Sequence, residues 1–196
     1  MSATTTLNAI RAHGPCAQGW TKLLAHLGKT KADDEPLPLL TVLDSNGLDD
    51  ALWCMRAMPE HDKHWRLFAV WCARQVQHMM TDQRSIAALD VAERHARGDA
   101  TDAELAAARA AAWAAWDAGD AAWAAGGAGD AAWAAWAAAG AAAGAAAGAA
   151  AWAAGDAAWA AGGAGDAGDA AGDAAGAAQA ARLRDVCAEI DAEDAA

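Results

Sequence analysis

His64–Met80, HWRLFAVWCARQVQHMM, is the stretch on which the fold turns. Trp65, Phe68, Cys72, Val76 and Met79 fall at steps of 3, 4, 4 and 3, one continuous face of an α-helix. Leu67, Val70, Trp71 and Met80 make its other faces apolar too. A helix that is apolar nearly all round has to be covered on every side, so this one is expected at the centre of an all-α protein. A polar stripe interrupts it: Trp71, Arg74, Gln75, His78 and Asp82 follow helical spacing, and Arg84, Asp90 and Glu93 come next. Buried charges need partners, so this set reads first as a structural network between two helices. Its functional reading is a polar pocket, with His78 as an acid or base.

Working outward toward the N-terminus, the chain punctuates as short helices. Leu7 and Ile10 mark a first helix stopped by Gly14-Pro15. Trp20, Leu23, Leu24 and Leu27 mark a second, ended by Gly28. KTKADDE (29–35) is a charged linker. PLPLLTVLD (36–44) is expected to open a third helix with both prolines in its first turn, stopping at Asn46-Gly47. A fourth runs through LDDALWCMRAM until Pro59, with Asp49 and Asp50 at its positive end.

Toward the C-terminus, Thr81-Asp82 opens a helix with Ile86, Leu89, Ala92 and Ala96 inward, ending at Gly98. Thr101-Asp102-Ala103-Glu104 is a capping box that starts another. Beyond it the sequence turns low in complexity. Residues 110–181 hold 43 Ala, 14 Gly, 7 Trp and 7 Asp, with no basic residue. DAAWAAGGAGD occurs at 120–130 and again at 156–166. That offset of 36 residues is about ten helical turns, so both copies share a face if the helix is unbroken. Each Gly costs about 1 kcal/mol against Ala in a helix interior. The segment is therefore expected to be held by packing, or to bend at Gly126-Gly127 and Gly162-Gly163. RLRDVCAEIDAEDAA (182–196) regains an apolar face in Leu183, Val186, Cys187 and Ile190, and is expected to dock back on the core.

The organisation that follows is a compact helical domain over 1–100, an Ala-rich helical region over 101–181 and a C-terminal amphipathic helix over 182–196. Charge divides along similar lines. Of 26 acidic and 14 basic side chains, residues 1–109 hold 14 and 12, net −2, and residues 110–196 hold 12 and 2, net −10. So acidic a chain is a poor match for the phosphate backbone, and no nucleic-acid partner is expected. None of the four cysteines forms a C-x-x-C pair. With a polar N-terminus, MSATTTLNAIRA, they read as reduced thiols of a cytoplasmic protein.

Several constellations bear on chemistry. His61-x-x-His64 is short of the three or four ligands a metal needs, and no metal or other cofactor is expected. Cys72 sits among apolar residues, where its pKa would rise, and nothing at catalytic spacing activates it, so the chain is not expected to be an enzyme. The uncharged run 131–155 is long enough to span a bilayer. Its Ala/Gly composition and acidic flanks argue against insertion. The binding candidates are Trp71, Arg74, His78, Asp82, Arg84, Asp90 and Glu93 on the polar stripe, with Trp123, Trp133 and Trp159 on the Ala-rich region as aromatic anchors. They suit a protein partner or, as an alternative, pairing of Ala/Trp helices between copies as a homo-oligomer.

Three stretches carry a family resemblance: TLNAIRAHGPCAQGWTKLLAHLGKTKADDEPLPLLTVLDSNGLDDALWC (6–54), FAVWCARQVQHMMTDQRSIAALDVAERHARGDATDAELAAARAAAWAA (68–115) and AQAARLRDVCAEI (178–190). They resemble the Imm-5-like immunity proteins, a group of small bacterial and phage proteins with Ala-rich repeats of the AAW/AARDAA kind. Here Gly or Trp stands where that group often has Arg. The resemblance implies an all-α fold and an immunity role, neutralising a toxin by binding it. It carries no catalytic residues.

Overall fold

The computed structural model describes residues 3–80, 82–119 and 166–195. Over these the protein is all-α, with one two-residue strand pair. In chain order the elements are β1 (Thr4–Thr5), α1 (Leu7–Ala12), α2 (Ala17–His26), β2 (Leu37–Pro38), α3 (Leu39–Asn46), α4 (Leu48–Cys54), α5 (Asp62–Gln75), α6 (Gln83–Arg97), α7 (Asp102–Gly119) and α8 (Asp166–Asp194). Single 3-10 turns at Met55–Ala57, Pro59–His61 and Gln77–Met79 join α4 to α5 and α5 to α6.

Local chemistry sets the boundaries. Thr6 caps α1 by accepting a hydrogen bond from the Ala9 N–H at 3.1 Å, and Cys16 Sγ caps α2 from the Gly19 N–H at 3.3 Å. Gly47, at φ 101°, turns the chain between α3 and α4, a conformation that side chains with a Cβ rarely adopt. Pro36 and Pro38 do not open α3 as the sequence suggested. Leu37–Pro38 instead pairs antiparallel with Thr4–Thr5, and α3 begins only at Leu39, whose N–H donates to the Ala3 carbonyl at 2.9 Å. Proline has no N–H to give a ladder, so a two-residue edge pairing suits it.

The central helix is where the sequence places it. In α5, Trp65, Phe68, Ala69, Cys72 and Ala73 are fully buried, and the Trp65 indole donates to the Met58 carbonyl at 3.0 Å. Its end differs. The helix stops at Gln75 and the chain tightens into the 3-10 turn, with the Val76 N–H reaching the Ala73 carbonyl at 3.2 Å. Val76 and Met80 thereby enter the core while His78 stays outside. An extended Met80 then leads into Asp82, the N-cap of α6.

Gly98, left-handed at φ 87°, ends α6, and the Asp99 N–H returns to the Arg94 carbonyl at 2.8 Å. Next comes the capping box. The Glu104 N–H donates to Thr101 Oγ1 at 3.2 Å, and the Thr101 N–H donates to Glu104 Oε2 at 2.8 Å. α7 packs along α6, where Ala88, Ala96 and Ala112 are buried but stand apart from the main core. Small side chains there let the helices approach closely.

α8 closes the core. Leu183, Val186, Cys187 and Ile190 are buried against α3, α4 and α5. Polar ties hold it on two sides: Arg184 pairs with Asp44 of α3, and Asp191 Oδ1 accepts from the Ala3 N–H at 3.0 Å. The amphipathic end read at 182–196 is thus the last part of a helix that already runs at Asp166. Among the described residues no helix is long and apolar enough to cross a membrane. The run 131–155, the bends at Gly126-Gly127 and Gly162-Gly163, and the candidates Trp123, Trp133 and Trp159 lie outside the described residues.

Candidate functional site

Arg74 projects from the last turn of α5 and organises the polar stripe. Its guanidinium donates to Gln77 Oε1 at 2.8 Å, Asp90 Oδ1 at 2.7 Å and Glu93 Oε2 at 2.9 Å. Arg97, one turn beyond Glu93 on α6, reaches its other oxygen at 2.5 Å. Partial burial pulls the Arg74 pKa down, but the hydrogen bonds that it donates to Asp90 and Glu93 outweigh it and hold the guanidinium above its ordinary value. The network therefore ties α5 to α6, as the spacing of Arg74, Asp90 and Glu93 suggested.

Beside it opens a groove of about 270 Å³ lined by Leu67, Val70, Trp71, Arg74, Glu93, Arg97 and Arg182. Trp71 is half-buried and lies nearly parallel to Phe68, with ring centroids 6.4 Å apart. Arg182 comes from α8, where it also pairs with Glu189 at 2.7 Å. Three helices thus hold an aromatic ring and three guanidinium groups around one concavity. Arg74 has three acceptors in place before any partner arrives, while Arg182 Nε is buried without a hydrogen-bond partner among the described residues.

Not every member of the predicted stripe belongs there. His78 is exposed on the 3-10 turn and makes no hydrogen bond or ion pair among the described residues, because α5 ends three residues before it. Asp82 caps α6 and turns to Arg84, accepting from its side chain at 2.6 Å and from its backbone N–H at 2.8 Å. Those two hydrogen bonds, side chain first, hold the Asp82 carboxyl down at about 2. Asp82 and Arg84 form a local pair with no bond to Arg74. The acid–base pocket around His78 is therefore not assembled. Trp71, Arg74, Asp90 and Glu93 are brought together; His78, Asp82 and Arg84 are not.

The sequence reading missed Arg97 and Arg182. Arg97 lies four residues after Glu93, a helical pair spacing that was available to it. Arg182 joins only through the docking of α8, which no local pattern announces. A second cleft, of about 370 Å³, was missed for the same reason. There His64 Nε2 stands 3.4 Å from Glu193 of α8, and His61 Nε2 stands 3.9 Å from Glu60. Among the described residues no group of three His, Cys, Asp or Glu is placed to hold a metal ion.

The cysteines offer no nucleophile at these places. Burial pushes the thiols of Cys54 and Cys187 up to about 12, and Cys72 higher still. All four cysteines are free, and only Cys16 is exposed. Compared with protein-family models, with curated proteins and with solved structures, the chain matches none of them.

Proposed function

We propose that this chain is a noncatalytic binding protein that associates stoichiometrically with a protein partner, in an immunity- or antitoxin-like role where the partner is a toxin. The observation that carries this is the groove between α5, α6 and α8, with Trp71 at its wall and Arg74, Arg97 and Arg182 around it. Trp and Arg are the residues that most often dominate binding energy at protein interfaces, above all where their geometry is fixed in advance. Arg74, with three acceptors already in place, is so fixed.

The test is capture of a partner on the immobilised full chain, compared with Trp71→Ala and Arg97→Glu. A defined complex of fixed stoichiometry, weakened by both substitutions, is the expected result. Recovery of chaperones alone, or a complex indifferent to both, overturns the reading. A second reading, pairing of Ala/Trp helices between copies, draws on Trp113, which is 39% exposed on α7. Sedimentation of a monomer at high concentration rejects it.

A further inference from the structure

Away from the lining of the Trp71 groove, α1, α2, α3 and α4 leave a cavity of about 60 Å³. Ile10, Pro15, Leu23 and Val42 are among its apolar walls, and Trp20 and Trp53 both line it. Of its lining residues only Asp50 bears a charge. The volume has room for a side-chain head. We infer that this cavity binds the alkylammonium head of a lysine side chain, with Asp50 as the counter-ion and Trp20 and Trp53 as the aromatic wall.

The carboxylate is held for such a task. The Asn46 side-chain amide donates to Asp50 Oδ2 at 2.7 Å and to the Gly19 carbonyl at 2.8 Å, which spends both of its N–H groups. Asp50 Oδ1 has no hydrogen-bond partner among the described residues, so one acceptor is left over. Gly19 makes the placement possible: a Cβ there would stand 2.6 Å from Asp50 Oδ2. α2 and α4 therefore meet with the carboxylate fitted against bare backbone.

The rest of the cavity matches the rest of a lysine. An aliphatic stem gains from apolar walls, and an ammonium gains from indole faces and from a carboxylate. Trp53 already accepts one cation in this way, with the Arg56 guanidinium 4.3 Å from its ring centroid. The nearby Lys22 does not fill the place, because its ammonium is held 3.3 Å from the Asn46 carbonyl. At a formal net charge of −12 the whole chain draws basic surfaces toward it. The site is separate from the Trp71 groove; only the claim that a partner protein supplies the lysine rests on the binding-protein reading.

The experiment titrates the full-length protein with a short peptide carrying one lysine between neutral residues, and with the same peptide acetylated on that lysine. Binding is read by calorimetry and by the indole N–H signals of Trp20 and Trp53. The expected result is saturable binding of the free lysine, about tenfold weaker for the acetylated form and for Asp50→Asn. Gly19→Ala, whose added Cβ would push the Asp50 carboxylate from its place, is expected to lose binding, with a melting curve taken alongside to show that the variant is folded. Trp71→Ala is expected to bind the peptide normally, so failure of the groove and failure of this site are read separately. Equal binding of the two peptides, full binding by a folded Asp50→Asn, or no saturation at millimolar peptide overturns the inference.

Discussion

α7 and α8 are both drawn from Ala-rich sequence, yet they are fixed by different means. α8 places Leu183, Val186, Cys187 and Ile190 in the main core and adds polar ties to Asp44 and Ala3. Among its described side chains, α7 gives the main core only Leu105 and buries Ala112 against α6, and its start is set by a capping box. Alanine supplies helix in both cases. What decides the strength of docking is the number of branched side chains at steps of three and four.

The largest expected effect follows from that contrast. Leu183→Ala and Ile190→Ala are each expected to cost about 2–5 kcal/mol, because each leaves a cavity in a fully buried site. Leu105→Ala is expected at the lower end of the same range, since among its described side chains α7 places no other large one in the main core. Urea unfolding of the three variants checks the order, and a Leu105 variant that outranks both α8 variants breaks the comparison.

Next comes Arg74→Ala, which strands Asp90 and leaves Glu93 with Arg97 alone. About 1–2 kcal/mol is expected, less than a buried pair would give, because Asp90 is 60% exposed and screened by water. Arg74→Lys is expected to recover only part, since an ammonium cannot serve Gln77, Asp90 and Glu93 from one planar fork. Thr101→Ala is expected to cost about 1 kcal/mol through the lost cap. Hydrogen exchange should place that loss in the first turns of α7 and leave α8 protected.

Much of this was legible in the sequence, for physical reasons that can be named. The central helix announced itself through Trp65, Phe68 and Cys72, because period and burial coincide there. The α7 start was written in four residues, Thr101 to Glu104, because a cap is a local bond. What was not legible is where a regular pattern stops. The spacing of Trp71, Arg74, His78 and Asp82 continues past Gln75, but the backbone does not, since tightening after Val76 brings Val76 and Met80 inward. Nor could spacing reveal Arg182 beside Arg74 or Glu193 beside His64, which meet only because α8 returns over more than a hundred residues of chain. The Asn46–Asp50–Gly19 contact was hidden for a similar reason: it joins three helices through a position notable only for lacking a side chain.

Two smaller effects sharpen the contrast between buried and exposed chemistry. Native protein is expected to react with a thiol reagent at Cys16 first, with Cys54, Cys72 and Cys187 protected until unfolding, as their burial and raised pKa values require. The smallest concerns Asp82. Its folded pKa of about 2 lies below the ordinary 3.8, so its pairing favours the folded state above pH 3.8 and that contribution is lost as pH falls toward 2. An NMR titration of the Asp82 carboxyl should show a midpoint near 2 that moves up in Arg84→Ala. The change in stability is expected to be slight, because the pair is exposed to water.

The central claim is that α8 is part of the same cooperative core as α5, although the two are far apart in the chain. Native-state hydrogen exchange of the full-length protein as a function of denaturant tests it most directly. The amides of Leu183 to Ile190 are expected to exchange only through global unfolding, with the same free energy and denaturant dependence as those of Trp65 to Ala73. Exchange of the α8 amides by a low-energy, denaturant-independent opening, while α5 stays protected, would contradict the account.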